Sequence, residues 1–199
     1  MAVAMTNDAE ENDSPEAIIW PLERLARLMR AREHDGGLNP AQWEALRYLG
    51  KANRFSNSPG ALTQYLGATK GTISQTVMSL ERKGFISKSA REGQKRSVVL
   101  ELTPAGKEVL TRDPWKLLAE GVDDLGNKTR RRLARGLREL LADELTRGRL
   151  KSFGRCASCR FFREKGRNLD ERGPHQCMLF DMPLSASDSQ RICVEHEAG

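Results

Sequence analysis

Between Ser58 and Leu102 the chain sets helix and strand signals so close together that few folds satisfy all of them. Ser58-Pro59 opens a short helix, a polar cap followed by proline in the first turn, and Gly67 ends it. Thr69 caps a second helix that runs through about Lys83 and stops at Gly84. Phe85–Ala90 and Ser97–Leu102 then read as strands. The polar, glycine-containing stretch Arg91–Arg96 joins them into a β-hairpin.

The flanking sequence supplies the rest of a mainly α-helical domain. Ser14-Pro15-Glu16 starts a helix with Ile18, Ile19, Leu22, Leu25, Ala26 and Met29 at helical spacing, running to about Glu33. Asn39-Pro40 starts another, with Trp43, Leu46 and Leu49 as its apolar stripe. Beyond the hairpin, Thr103-Pro104 opens a helix interrupted near Asp113-Pro114. Helix signals resume from Trp115 to about Leu125. Asn127 then caps a long basic helix with Leu133, Leu137, Leu140, Leu141 and Leu145, ending near Gly148. Its arginines, including Arg130, Arg131 and Arg132, are expected on a solvated face. Trp20, Trp43 and Trp115 are expected in the core.

The Thr69–Gly84 helix divides into two faces. Ile73, Val77 and Leu80 cluster at 100° per residue and should pack inward. The other face near the N-terminus is small, polar and almost free of acid. Gly71, Thr72 and Ser74 allow close approach to a groove. Gln75 can make paired hydrogen bonds to a base edge, and Lys70 can bind guanine or phosphate. The order of short helix, tight turn at Leu66-Gly67-Ala68, second helix and basic hairpin fits a DNA-reading helix–turn–helix with a wing. Thr69, Lys70, Gly71, Thr72, Ser74, Gln75 and Ser79 are the candidate groove readers. Arg91, Gln94, Lys95 and Arg96 are the candidate wing contacts, reaching phosphates or the minor groove. The 199 residues carry a net charge of +6, but five acids and no base lie in residues 1–16. Ala68–Arg96 alone carries seven bases and two acids. That local excess, rather than the total, points to nucleic acid.

The stretch Leu62-Thr-Gln-Tyr-Leu-Gly-Ala-Thr-Lys-Gly-Thr-Ile-Ser-Gln-Thr-Val-Met-Ser-Leu-Glu-Arg-Lys-Gly-Phe-Ile86 resembles the MarR family of winged-helix repressors. Pro40–Ala52 and the Leu-Thr-Pro-Ala-Gly-Lys segment at Leu102–Lys107 match as well, and the resemblance spans roughly residues 17–148. It implies a homodimer joined by the first and last long helices. It also implies two recognition helices in successive major grooves of a pseudo-palindromic, double-stranded site. The wing departs from the family's frequent Asp-x-Arg-Asp-x-Arg pattern. Here it reads Ala90-Arg-Glu-Gly-Gln-Lys-Arg96, with Arg91 and Arg96 as its arginines.

Cysteine is confined to the other end. None precedes Cys156, and the spacing is Cys156-x2-Cys159-x17-Cys177-x15-Cys193. Two thiolates two residues apart share one metal or cluster without strain, and two distant ones can complete a four-thiolate site. Zinc ribbons usually show two close pairs, whereas single distant third and fourth ligands resemble the spacing of high-potential iron–sulfur proteins. Cys156, Cys159, Cys177 and Cys193 are therefore expected to hold an iron–sulfur cluster, 4Fe–4S or 2Fe–2S, with zinc as the alternative. Phe161, Phe162, Met178, Leu179, Phe180, Leu184 and Ile192 can shield it. His175 or His196 can stand in for one sulfur.

The resulting expectation is an acidic disordered tail (1–15), a winged helix–turn–helix with dimerisation helices (16–150) and a four-cysteine appendage (151–199). No run approaches the ~18 apolar residues of a membrane span, and the start lacks an apolar signal segment, so a cytoplasmic location is expected. No nucleophile–base pair, phosphate loop or paired carboxylates stand in a motif context, so no catalytic role is expected. The function expected is a homodimeric, sequence-specific transcriptional regulator sensing redox state, oxygen or iron. A small-molecule effector with structural zinc is the second reading. An electron-transfer or metal-carrier module is the third.

Overall fold

The computed structural model describes residues 14–34, 37–91, 94–167 and 170–199, and of residues 91 and 94–96 it describes the backbone. Most of the expected acidic tail lies outside the described residues. Helix α1 (Glu16–Arg32) precedes α2 (Pro40–Lys51), α3 (Pro59–Leu66) and α4 (Lys70–Arg82). Strands β1 (Ile86–Arg91) and β2 (Gln94–Leu102) form an antiparallel hairpin. Helices α5 (Pro104–Leu110), α6 (Trp115–Asp123) and α7 (Asn127–Arg147) follow.

The caps do what their residue types allow. Asn39 and Gln42 form a reciprocal capping box on α2, and Ser58, Thr69 and Thr103 each cap the helix that follows. Gly67 ends α3 in the left-handed region at φ +60°, which lets the chain turn into α4 within three residues. Asn127 is the first residue of α7 rather than its cap, and Gly126 precedes it without a capping side chain.

The core gathers one face of each element. Leu46, Tyr48 and Leu49 of α2, Leu62 of α3, Ile73, Val77 and Leu80 of α4, and Ile86 and Leu100 of the hairpin form one buried cluster. Gly106 of α5 lies so close to the Phe85 carbonyl that any side chain there would collide with backbone. This contact seats α5 against the base of the wing. The hairpin is longer than the sequence suggests. Pairing runs from Ile86↔Leu102 out to Arg91↔Gln94, with a register irregularity between Ala90 and Arg91. Residues expected in the turn, Arg91 and Gln94–Arg96, are therefore strand.

Two of the three tryptophans correct the expected core. Trp43 is buried, but Trp115 is 41% and Trp20 71% exposed. Ile18, Ile19, Leu22 and Leu25 of α1 and Leu133, Leu137, Leu140 and Leu141 of α7 are likewise exposed. Their helical stripes are real, yet nothing among the described residues of one chain covers them.

The appendage is a separate small layer. Cys156–Ser158 is a single 3-10 turn, and β3 (Phe162–Arg163), β4 (His175–Cys177) and β5 (Met182–Leu184) form an antiparallel sheet in that order. A one-turn helix, α8 (Ala186–Ser189), leads back to Cys193. Phe153 and Val194 join the main core, and Leu184 packs with Cys156 and Cys193 in a second cluster.

Candidate functional site

The exposed side of α4 is the first part of the site. Thr69, Lys70, Gly71, Thr72, Ser74 and Gln75 are all open to solvent, while Ile73, Thr76 and Val77 face the core. Thr69 Oγ1 accepts from the Thr72 N–H at 3.1 Å and bonds the Thr72 hydroxyl at 2.9 Å. The entry to the helix is thereby held rigid without using Lys70 or Gln75. The single acid of α4, Glu81, pairs with Lys88 of β1 at 2.6 Å, so the face carries no unpaired acid. Ser79 stands apart from the other groove candidates. It is half-buried, and its hydroxyl accepts from Gln42 Nε2 at 2.9 Å. Gln42 Oε1 in turn accepts from Lys83 Nζ at 3.0 Å. These contacts lock α4 onto α2. Arg91, Gln94, Lys95 and Arg96 lie on the paired strands of the hairpin, and their side chains lie outside what is described.

The second part is the cysteine site. Cys156, Cys159, Cys177 and Cys193 all line one cavity of about 10 Å³, walled by Phe161, Phe162, Leu179, Phe180 and Leu184. The 3-10 turn brings Cys159 N–H onto the Cys156 carbonyl at 2.9 Å, which aims the close pair. Pairing of Phe162 with Cys177 brings in the third cysteine. The Cys193 N–H on the Gly154 carbonyl at 3.0 Å brings in the fourth. Backbone N–H groups of Leu179 and Phe180 point at the Cys177 sulfur, and that of Glu195 at the Cys193 sulfur. Such donors favour thiolates, but at Cys177 burial outweighs them and pushes the thiol up. The Cys156 thiol donates to Cys193, which with further hydrogen bonds holds Cys193 down at about 6 despite burial. The same bond, together with burial, pushes Cys156 up.

The histidines do not join the cavity. His196 uses Nδ1 on the Ser152 hydroxyl at 3.0 Å and Nε2 on the Ser158 hydroxyl at 3.1 Å. His175 Nδ1 accepts from Lys165 N–H at 3.2 Å, and its ring lies against Phe162. The donor set is thus four thiols in an apolar wall, which fits a thiolate-bound cluster or zinc in kind. Among the described residues, no group of three or more His, Cys, Asp or Glu is already set to hold one metal ion as it stands.

A third feature was not legible in the sequence. A cavity of about 770 Å³ opens between α1, α2, α3 and α6, lined by Arg30, Tyr48, Tyr65 and Trp115 among others. At its edge the buried Glu33 carboxylate is held by Arg47 and by Trp115 Nε1 at 3.0 Å. Neither partner is close to Glu33 in sequence, so no local pattern announces the pair.

The fold and the open face of α4 define a winged helix–turn–helix protein. More particularly, residues 36–97 match the model of the MarR family. The chain is similar to a MarR transcriptional regulator from Methanosarcina mazei Go1, at 22% identity and TM-score 0.54, covering 66% of this chain and 98% of that one. It is also similar to MepR of S. aureus in a DNA complex, at 16% identity and TM-score 0.52, covering 65% of this chain and 97% of that one. FabT of Streptococcus pneumoniae, in complex with DNA, aligns at 20% identity and TM-score 0.52, covering 64% and 92%. No curated protein matches the chain in sequence. Among the described residues no helix is long and apolar enough to cross a membrane.

Proposed function

We propose that this chain is a homodimeric, sequence-specific DNA-binding transcriptional regulator whose C-terminal cysteines hold an iron–sulfur cluster that sets its DNA affinity. The observation that carries the DNA reading is the acid-free, exposed face formed by Thr69, Lys70, Gly71, Thr72, Ser74 and Gln75, held on a rigid core by contacts that leave Lys70 and Gln75 unengaged. Two similar structures were solved with DNA, which agrees with this use of the fold. The exposed leucines of α1 and α7 support the homodimer, because burying them needs a second copy of the same helices. Two copies present two α4 helices, as a pseudo-palindromic site requires. The cluster reading rests on four thiols lining one cavity with aromatic walls and on the N–H donors aimed at two of the sulfurs. When bound, a cluster supplies redox chemistry, and this chain's residues supply four thiolates, their hydrogen bonds and exclusion of water.

A second reading has zinc in the cysteine site and a small organic effector elsewhere. The size of the thiol-lined cavity, about 10 Å³, favours a single ion, because that is the room of one small atom. The 770 Å³ cavity beside Glu33 and Trp115 favours the effector, being in the range of small-molecule sites.

Anaerobic purification separates the readings. Iron and sulfide with visible absorption support the cluster, colourless protein with about one zinc per chain supports the second reading, and absence of both metals contradicts each. Selection from a randomised duplex pool tests the DNA reading. Recovery of a palindromic motif bound with a steep salt dependence is expected. Recovery of no motif contradicts it.

A further inference from the structure

The cysteine site is bonded directly to the turn that leads into the helix–turn–helix, and those bonds meet at Asn53. Residues 52–58 connect α2 to α3. Asn53 is fully buried, 103 residues from Cys156 in sequence, and its Nδ2 donates to Cys156 Sγ at 3.1 Å. The same side-chain amide also favours the Cys193 thiolate. Its Oδ1 accepts from the Phe55 N–H at 3.1 Å, which fixes which end of the amide faces the sulfurs. Its own N–H donates to the Ile192 carbonyl at 2.9 Å, and the Ile192 N–H donates to the Lys51 carbonyl at 2.9 Å. Ser56 Oγ accepts from the Val194 N–H at 2.8 Å, one residue past Cys193. Two residues further on, Ser58 caps α3. A single turn thus holds the cysteine loops at one end and starts the DNA-reading unit at the other.

We propose that Asn53 is the positioning residue that couples the condition of the Cys156 sulfur to the placement of α3 and α4. This rests on the reading that the thiols form the sensing site. A buried amide donor keeps a partner or forces a rearrangement. The oxygen end of Asn53 is committed to the turn, so its N–H groups follow the sulfurs when these move to take or release a metal. The turn moves with them, and the close-packed core passes the displacement on to α3. Phe153 offers no substitute route of this kind, because it meets Tyr48 and Tyr65 only through ring edges.

The test is a double-mutant cycle on the full chain, reading affinity for a duplex selected by the wild type from a randomised pool. Cys156→Ala is expected to change affinity at least ~10-fold in the wild-type background and less than ~2-fold in the Asn53→Ala background. A merely structural role for Asn53 lowers thermal stability and affinity alike in both backgrounds and leaves the two effects additive, which overturns the proposal. So does an absence of any effect of Cys156→Ala in the wild-type background. If Asn53→Ala fails to fold by circular dichroism, Asn53→Asp, which keeps the acceptor for the Phe55 N–H and removes the donor to Cys156, repeats the cycle with Cys156→Ala, with the same two outcomes. Metal content is measured on the same proteins. A wild type without iron or zinc overturns the metal centre, while the cycle, which needs no metal, still decides the role of Asn53.

Discussion

In the proposed function Gln75 and Lys70 divide specificity from affinity on one helix. Both are exposed on α4 and neither is used to hold the fold. Gln75→Ala is expected to lose about 1–3 kcal/mol of discrimination at one base pair per half-site, with binding to random duplex unchanged. Lys70→Ala is expected to weaken all duplexes alike and to flatten the salt dependence by about 0.9 per lost phosphate contact. Competition titrations at several salt concentrations read both effects, and a uniform loss for Gln75→Ala would contradict its role. A different residue makes the fold sensitive to alkali. Burial, reinforced by the nearby Cys193 and Tyr65, pushes the Tyr48 phenol well above the usual tyrosine range, and its OH donates to the Ser56 carbonyl at 2.7 Å. Below that range folded and unfolded chains both keep the proton, so Tyr48 adds no pH dependence. Above it only the unfolded chain releases the proton, so stability falls as pH rises. Denaturant melts at pH 9 and above should show this fall, and Tyr48→Phe should reduce it.

The individual elements show what a sequence reveals and where it stops. The caps at Asn39, Ser58, Thr69 and Thr103 and the inward face Ile73, Val77 and Leu80 were legible, because capping and helical periodicity are local. The extent of the wing was not, since a polar run reads as a turn until strand pairing places it. The two- and three-residue strands of the appendage were illegible for a simpler reason, being too short to show a period of two. The cysteines were legible as a set, but their attachment to Asn53 was not, because that bond spans 103 residues. Trp20, on the stripe of α1, misled in one respect, while the exposed leucines of α7 agree with the interface that the resemblance implied. Both stripes are genuine, but among the described residues of the single chain their partner is absent. The proposed homodimer accounts for this. Leu137→Asp removes two leucines from the interface at once, at about 1.5–3 kcal/mol each. Sedimentation at micromolar concentration should then show a dimer for the wild type and a monomer for the variant. A variant that stays dimeric would place the interface elsewhere.

On the scale of the whole molecule, two layers share one short connection. The winged-helix layer presents α4, and the cysteine layer packs Phe153 and Val194 into the same core. A regulator needs a ligand that favours one of two arrangements, and affinity for DNA changes only by the difference it makes between them. In the proposed function the cysteine layer meets that need, because it is built on the turn that starts α3 rather than tethered at a distance. The most direct measurement is the affinity of the full chain for its selected duplex, kept without oxygen, before and after the metal is stripped by chelation. The account predicts at least a ~10-fold difference between the two forms. Equal affinities, with metal demonstrably present in one and absent from the other, would contradict it.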